Sequence, residues 1–158
     1  MIKRNSERSE SAMLADIVIN AIQEKKGERV VKIDMRPINS PVADFFIVCQ
    51  GNSRAQVEAI ADSVEHEVIG SIGVRPSFIE GKENAEWMLI DYFDVVVHIF
   101  QPEARGFYKL ESLWADADLT EVNEPVSGVI MNGAAAKIAK PKVRKSNKLK
   151  AQLLSDKI

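Results

Sequence analysis

The 158 residues contain one cysteine, Cys49. No internal disulfide can form, so the fold has to rest on its core. A lone Cys inside the run FFIVCQ reads as a small buried apolar residue in a reducing compartment. Histidine is almost as scarce. His66 and His98 lie far apart in sequence with no second Cys, so no metal-ligand spacing exists. No P-loop, GxSxG or GxGxxG pattern occurs, which removes the usual signals of nucleotide binding and acyl transfer. No apolar run is long enough for a membrane span. Asp16 and Asn20 interrupt SAMLADIVINAI, and no cleavage site follows it. The expectation is a cytoplasmic protein with no signal peptide, membrane contact, metal or cofactor.

Net charge is also small, at −2. That total conceals an asymmetry. Residues 125–158 hold eight basic side chains and one acid, a net charge of +7; residues 1–124 hold 13 basic and 22 acidic groups, or −9. An acidic body with a basic tail suggests an interaction arm. Lys140, Lys142, Arg144, Lys145, Lys148 and Lys150 are the candidate RNA-contacting residues, and phosphate contacts would make binding salt-dependent. A solubilising tail, or one resting on its own body, is the alternative.

At 46% hydrophobic, the chain can bury a real core. Residues 1–10 are polar and read as a flexible N-terminus, 11–120 as one domain, and 125–158 as the basic, disordered tail. Leu14, Ile17, Val18, Ala21 and Ile22 recur at helical spacing before Gly27. RVVKIDM (29–35) and FFIVCQ (45–50) read as strands. Ser53 with Gln56 three residues later forms a capping-box pattern ahead of a helix carrying Val57, Ile60, Ala61, Val64 and Val68. SFIEG (77–81) and two runs within 87–100 supply more strands. A last helix from Glu103 to Trp114 would present Phe107, Leu110, Leu113 and Trp114 as its apolar face. The order α-β-β-α-β-β-β-α predicts an α/β (α+β) domain, a mixed sheet of about five strands flanked by helices.

WMLIDYFDVVVHIF (87–100) reads as a hairpin. With a four-residue turn over Asp91–Asp94, Ile90 faces Val95. Alternation then puts Met88, Ile90, Val95, Val97 and Ile99 on a core face, and Trp87, Leu89, Val96 and His98 on the other, with Asp91 and Asp94 at its turn end. An apolar centre edged by Trp, His and acids has the make-up of a binding patch. The alternative is a face packed beneath a helix, with His98 a core histidine. Asp91 and Asp94 could also hold Mg²⁺ for nucleotidyl transfer, although acids beside a turn more often serve the turn itself. Gly51-Asn52-Ser53 ahead of a helix is ordinary punctuation as readily as a phosphate site.

SPVADFFIVCQGNSRAQVEAIADSV, IEG and AEWMLIDYFDVVVHIFQPEARGFYKLESLW, in that order, resemble the ribosomal silencing factor family (RsfS, Iojap-related) over about residues 12–118. The resemblance implies a nucleotidyltransferase-like fold without known enzymatic activity. It implies binding to a ribosomal protein at the subunit-joining face of the large subunit, which blocks docking of the small subunit and lowers translation when nutrients are scarce. Homodimers are also implied. Carried over by motif, the binding surface falls on Trp87, Leu89, Asp91, Tyr92 and Asp94, with His98 and Arg105 at further family positions. Where many members have Gly in D-Y-G-D, this chain has Phe93. Large-subunit assembly, or RNA binding through the tail, is the competing implication; a metal-dependent nucleotidyltransferase using Asp91 and Asp94 is the weaker one. On the favoured reading, the Trp87-bearing side of the hairpin stands open to solvent.

Overall fold

The computed structural model describes residues 2–122, with side chains from residue 10 onward. The basic tail lies outside the described residues. In chain order the elements are α1 (Ile2–Glu24), β1 (Glu28–Asp34), a 3-10 turn (Arg36–Ile38), β2 (Phe45–Gln50), α2 (Arg54–Ile72), β3 (Phe78–Glu80), β4 (Trp87–Asp91), β5 (Val95–Phe100), α3 (Pro102–Tyr108), α4 (Leu110–Leu113) and β6 (Asp118–Val122). The six strands form one sheet in the order β3-β4-β5-β2-β1-β6. The β2–β5 pair is parallel and every other pair antiparallel.

The central strands β2 and β5 are buried along their whole length. That burial follows from helices on both faces and explains their unbroken apolar sequences. On the first face, Leu14, Val18 and Ile22 of α1 and Val57, Ile60 and Val64 of α2 join Phe45, Ile47, Met88, Ile90, Val97 and Ile99 in one cluster. On the second, Val31, Ile33, Phe46, Val48, Trp87, Leu89, Val96 and Phe100 lie under Leu110 and Ala117, with Ala104, Tyr108, Leu113 and Trp114 packed against them.

The capping box forms with a shift of one residue. Gln56 N–H donates to Ser53 Oγ at 3.1 Å, while Gln56 Oε1 accepts from Asn52 N–H at 2.8 Å. The Gln56 amide also donates to the Lys25 and Lys26 carbonyls, which ties the start of α2 to the end of α1. Gly81, at φ 89, opens the turn between β3 and β4, where a Cβ would run into the Trp87 carbonyl.

Three features depart from the sequence reading. First, the sheet has a sixth strand, β6, paired with β1 from Val30↔Val122 to Asp34↔Asp118. Second, the expected helix over 103–114 breaks at Lys109, which adopts φ 49 and donates its N–H to Arg105 O. Third, the hairpin is tighter than a four-residue turn. Ile90 pairs with Val97, and Tyr92 N–H donates to Val95 O at 2.9 Å, leaving Phe93-Asp94 as a two-residue turn. Phe93 takes φ 75, a conformation such turns favour and one that glycine adopts readily. The register differs from expectation by an even number of residues, so the two faces keep their expected members.

Candidate binding surface

The hairpin side chains singled out in the sequence do come together, but inside the molecule. Trp87 is 5% exposed and Leu89 fully buried. Tyr108 from α3 lies on the Trp87 ring at 4.7 Å between centroids, and Phe100 stacks on it at 5.0 Å. Trp114 meets Phe46 edge-on at 5.6 Å. The expectation of an open Trp-bearing face is therefore overturned. The segment 104–117 covers it, because Ala104, Tyr108, Leu110, Leu113 and Trp114 supply the apolar surface that Phe46, Leu89 and Val96 require. The helix-covered alternative describes this face.

His98 is fully buried on the same side. Its Nδ1 accepts the Trp87 indole N–H at 3.1 Å, which places the proton of the neutral ring on Nε2. The Phe46 ring sits 4.6 Å from it. Asp91 is buried as well. Its Oδ1 accepts Phe93 N–H at 2.7 Å, an Asx turn that holds the hairpin corner, and its carbonyl accepts Ser77 N–H at 2.7 Å. Tyr92 is buried on the opposite face, and its hydroxyl has no hydrogen-bond partner among the described residues. Burial, then the Glu65 carboxylate, pushes that hydroxyl well above the ordinary tyrosine pKa.

Arg105 is also a buried residue. Nε and Nη2 donate to Glu111 Oε1 at 3.0 and 2.7 Å, and Nη1 donates to the Arg29 carbonyl at 2.6 Å. It clamps α3 to α4 and both to the start of β1. Of the seven residues carried over, Asp94 alone is exposed, while its carbonyl accepts the Asp44 and Phe45 N–H groups at 2.8 and 3.0 Å.

The two acids of the hairpin are placed differently. Asp91 lies in the core and holds the turn, while Asp94 faces solvent. Among the described residues, no group of three or more His, Cys, Asp or Glu is placed to hold a metal ion. His66 lies on the exposed side of α2, at the rim of a cavity of about 240 Å³ that Asp62, Glu65 and Arg75 also line. Cys49 is fully buried, and burial pushes its thiol up to about 12.

The surface holds a residue the sequence reading placed inside. Phe107 is 71% exposed, and with Leu119 it makes up the exposed large hydrophobics of the described residues. In an unbroken helix Phe107 would share a face with Leu110 and Trp114. The break at Lys109 changes the phase, so Ala104, Arg105 and Tyr108 turn inward and Phe107 turns out.

The comparisons agree on one family. The model of the family described as "Ribosomal silencing factor during starvation" matches residues 7–152, reaching well past residue 118 and across most of the basic segment. The chain is 44% identical over 114 residues to ribosomal silencing factor RsfS of Halalkalibacterium halodurans, covering 72% of this chain and 96% of that protein. A crystal structure from Chromobacterium violaceum superposes with a TM-score of 0.62 at 31% identity, covering 72% of this chain and 93% of that one. A more distant mouse relative, 26% identical over 103 residues (63% of this chain, 44% of that protein), is named "Mitochondrial assembly of ribosomal large subunit protein 1".

Proposed function

The chain belongs to the ribosomal silencing factor family, and from that premise we propose that it represses translation by occupying the large ribosomal subunit. It binds a ribosomal protein at the subunit-joining face and keeps the small subunit from docking when nutrients are limiting. The mechanism is steric exclusion; no substrate is turned over and no cofactor is needed. The family match across residues 7–152 carries this reading.

Physical features of the chain fit it. A body with net charge −9 over residues 1–124 suits a basic ribosomal protein. The hairpin corner offers Asp94 at the surface, on a turn that the buried Asp91 holds through the Phe93 N–H. Trp87, Leu89, Tyr92, His98 and Arg105 serve as the frame behind the contact surface. Lys140, Lys142, Arg144, Lys145, Lys148 and Lys150 add contacts to ribosomal RNA. Among the described residues, no helix is long and apolar enough to cross a membrane, in keeping with action on cytoplasmic ribosomes.

A second reading, assistance to large-subunit assembly, is favoured by the name of the mouse relative. Sedimentation of the purified protein with mature large subunits, immature large particles, small subunits and a mixture of mature large and small subunits separates the two. Silencing requires co-migration with mature large subunits and fewer joined particles in the mixture. Unchanged joining, with binding confined to immature large particles, would reject it in favour of assembly.

A further inference from the structure

Phe107, 71% exposed, joins an ordered column of rings. It meets Tyr108 edge-on at 5.0 Å, Tyr108 lies on Trp87 at 4.7 Å, and Trp87 stacks on Phe100 and donates to His98, which rests on Phe46. Every ring behind Tyr108 in this column is buried. An exposed aromatic backed this way is held in place before any partner arrives, so little freedom is lost when it is covered.

Its surroundings carry charge. Glu103, exposed, sits one turn earlier on the same side of α3. Gln101 draws the 81–86 loop to the start of that helix, its N–H donating to Glu86 O and its amide to Ala85 O, both at 2.9 Å. Exposed Glu83 and Glu86 come with the loop, and Lys82 and Lys109 are the exposed bases nearby in sequence. The Arg105 and Glu111 charges are already paired with each other.

We infer that Phe107 and Glu103 form an arginine-binding element on the outer side of α3, filled by a guanidinium from the basic protein on which the chain docks. An aromatic face and a carboxylate one helical turn apart match the two things a guanidinium does at once, stacking and donating in a fork. A lysine ammonium does the first less well and lacks the fork. The net −9 of residues 1–124 suits a basic occupant, and the proposed docking makes that occupant a ribosomal protein. This inference rests on the proposed docking to a ribosomal protein and names the contact that makes it.

Two measurements on the full chain test it, each with Phe107→Ala, Phe107→Leu and Glu103→Gln variants whose thermal midpoints match wild type. In binding to purified large subunits, Phe107→Ala weakens affinity about thirtyfold. Phe107→Leu keeps apolar bulk but removes the ring, and it and Glu103→Gln each weaken affinity about fivefold. In titrations with hexa-arginine and hexa-lysine peptides, wild type prefers the arginine peptide and Phe107→Leu loses the preference. Wild-type affinity in Phe107→Ala overturns the inference. Full affinity in Phe107→Leu alone overturns the arginine in favour of an apolar pocket. Loss of a homodimer in Phe107→Ala with subunit binding intact makes the ring a self-contact and also overturns it. Absence of subunit binding in wild type, with the peptide preference present, would refute the proposed function and leave the arginine element standing.

Discussion

Trp87 donates its indole N–H to Nδ1 of His98 at 3.1 Å, across two adjacent strands and beneath a helix layer that buries both rings. The bond fixes the histidine tautomer and the indole orientation together. It makes the pair a part of the frame. Trp87→Ala is therefore an unfolding variant more than a test of docking, expected to cost about 3–5 kcal/mol. His98→Phe leaves the indole N–H without its acceptor and costs about 1–3 kcal/mol. In a double-mutant cycle of Trp87→Phe and His98→Phe, the double variant should lose less than the two singles combined, by about 1 kcal/mol. Urea denaturation at neutral pH measures this; additive losses would mean that the bond contributes nothing to stability.

Phe93 sits at φ 75, where a bulky side chain is strained. Glycine, which the resemblance implies at this place in D-Y-G-D, is what the backbone prefers. Phe93→Gly should raise stability by about 1 kcal/mol, whereas Phe93→Ala, which keeps the strained φ and loses the ring, should lower it. The two opposite signs, read from thermal unfolding, separate strain from side-chain packing. A loss of stability in both variants would show that packing of the ring outweighs the backbone cost.

Tyr92 offers a pH test. Its hydroxyl is buried without a hydrogen-bond partner among the described residues, and its pKa is raised above the ordinary value of 10.0 by burial and then by Glu65. A raised folded-state pKa means that the unfolded chain releases the proton first. Stability is then whole below pH 10.0 and declines as pH rises from there towards the folded-state value. Tyr92→Phe should match or exceed wild type at neutral pH, since a partnerless hydroxyl costs about 1–3 kcal/mol to bury. It should also lose less stability in alkali. The buried Cys49 thiol, pushed up to about 12, titrates in the same window, so the comparison is made on a Cys49→Ala background. Identical alkaline profiles with and without the hydroxyl would refute the account.

Sequence legibility followed the source of the forces. The strands β2, β4 and β5 were readable because burial on both faces leaves continuous β-branched and aromatic runs. The two faces of the hairpin were readable because alternation survives an even slip in register. Whether the Trp87 face was covered was not, since that depends on residues 104–117 and not on the strands. The break at Lys109 was hidden for a related reason: a lysine at φ 49 carries no local signal, and the Arg105 clamp to Glu111 and Arg29 accompanies it. Phe107 was misplaced as a consequence. In β6, Leu119 faces the second side of the sheet with Ile33 and Val122 the first with Val30, so DLTEV lacks the alternation that marks a strand.

The basic tail begins beyond β6, whose last residue is Val122, so the described fold closes before residue 125. A chain ending at residue 124 should keep the wild-type thermal midpoint. Its binding to large subunits should change in one specific way. Each lysine or arginine that neutralises a phosphate adds about one to the slope of log affinity against log salt. Removing residues 125–158, with eight basic groups and one acid, should flatten that slope by several units, with the largest loss of affinity at low salt. Charge reversal at Asp94 acts through a protein contact and should lower affinity with little change in slope. An equal slope in the truncated and full chains would remove the tail from the RNA contact and leave the acidic body to bind alone.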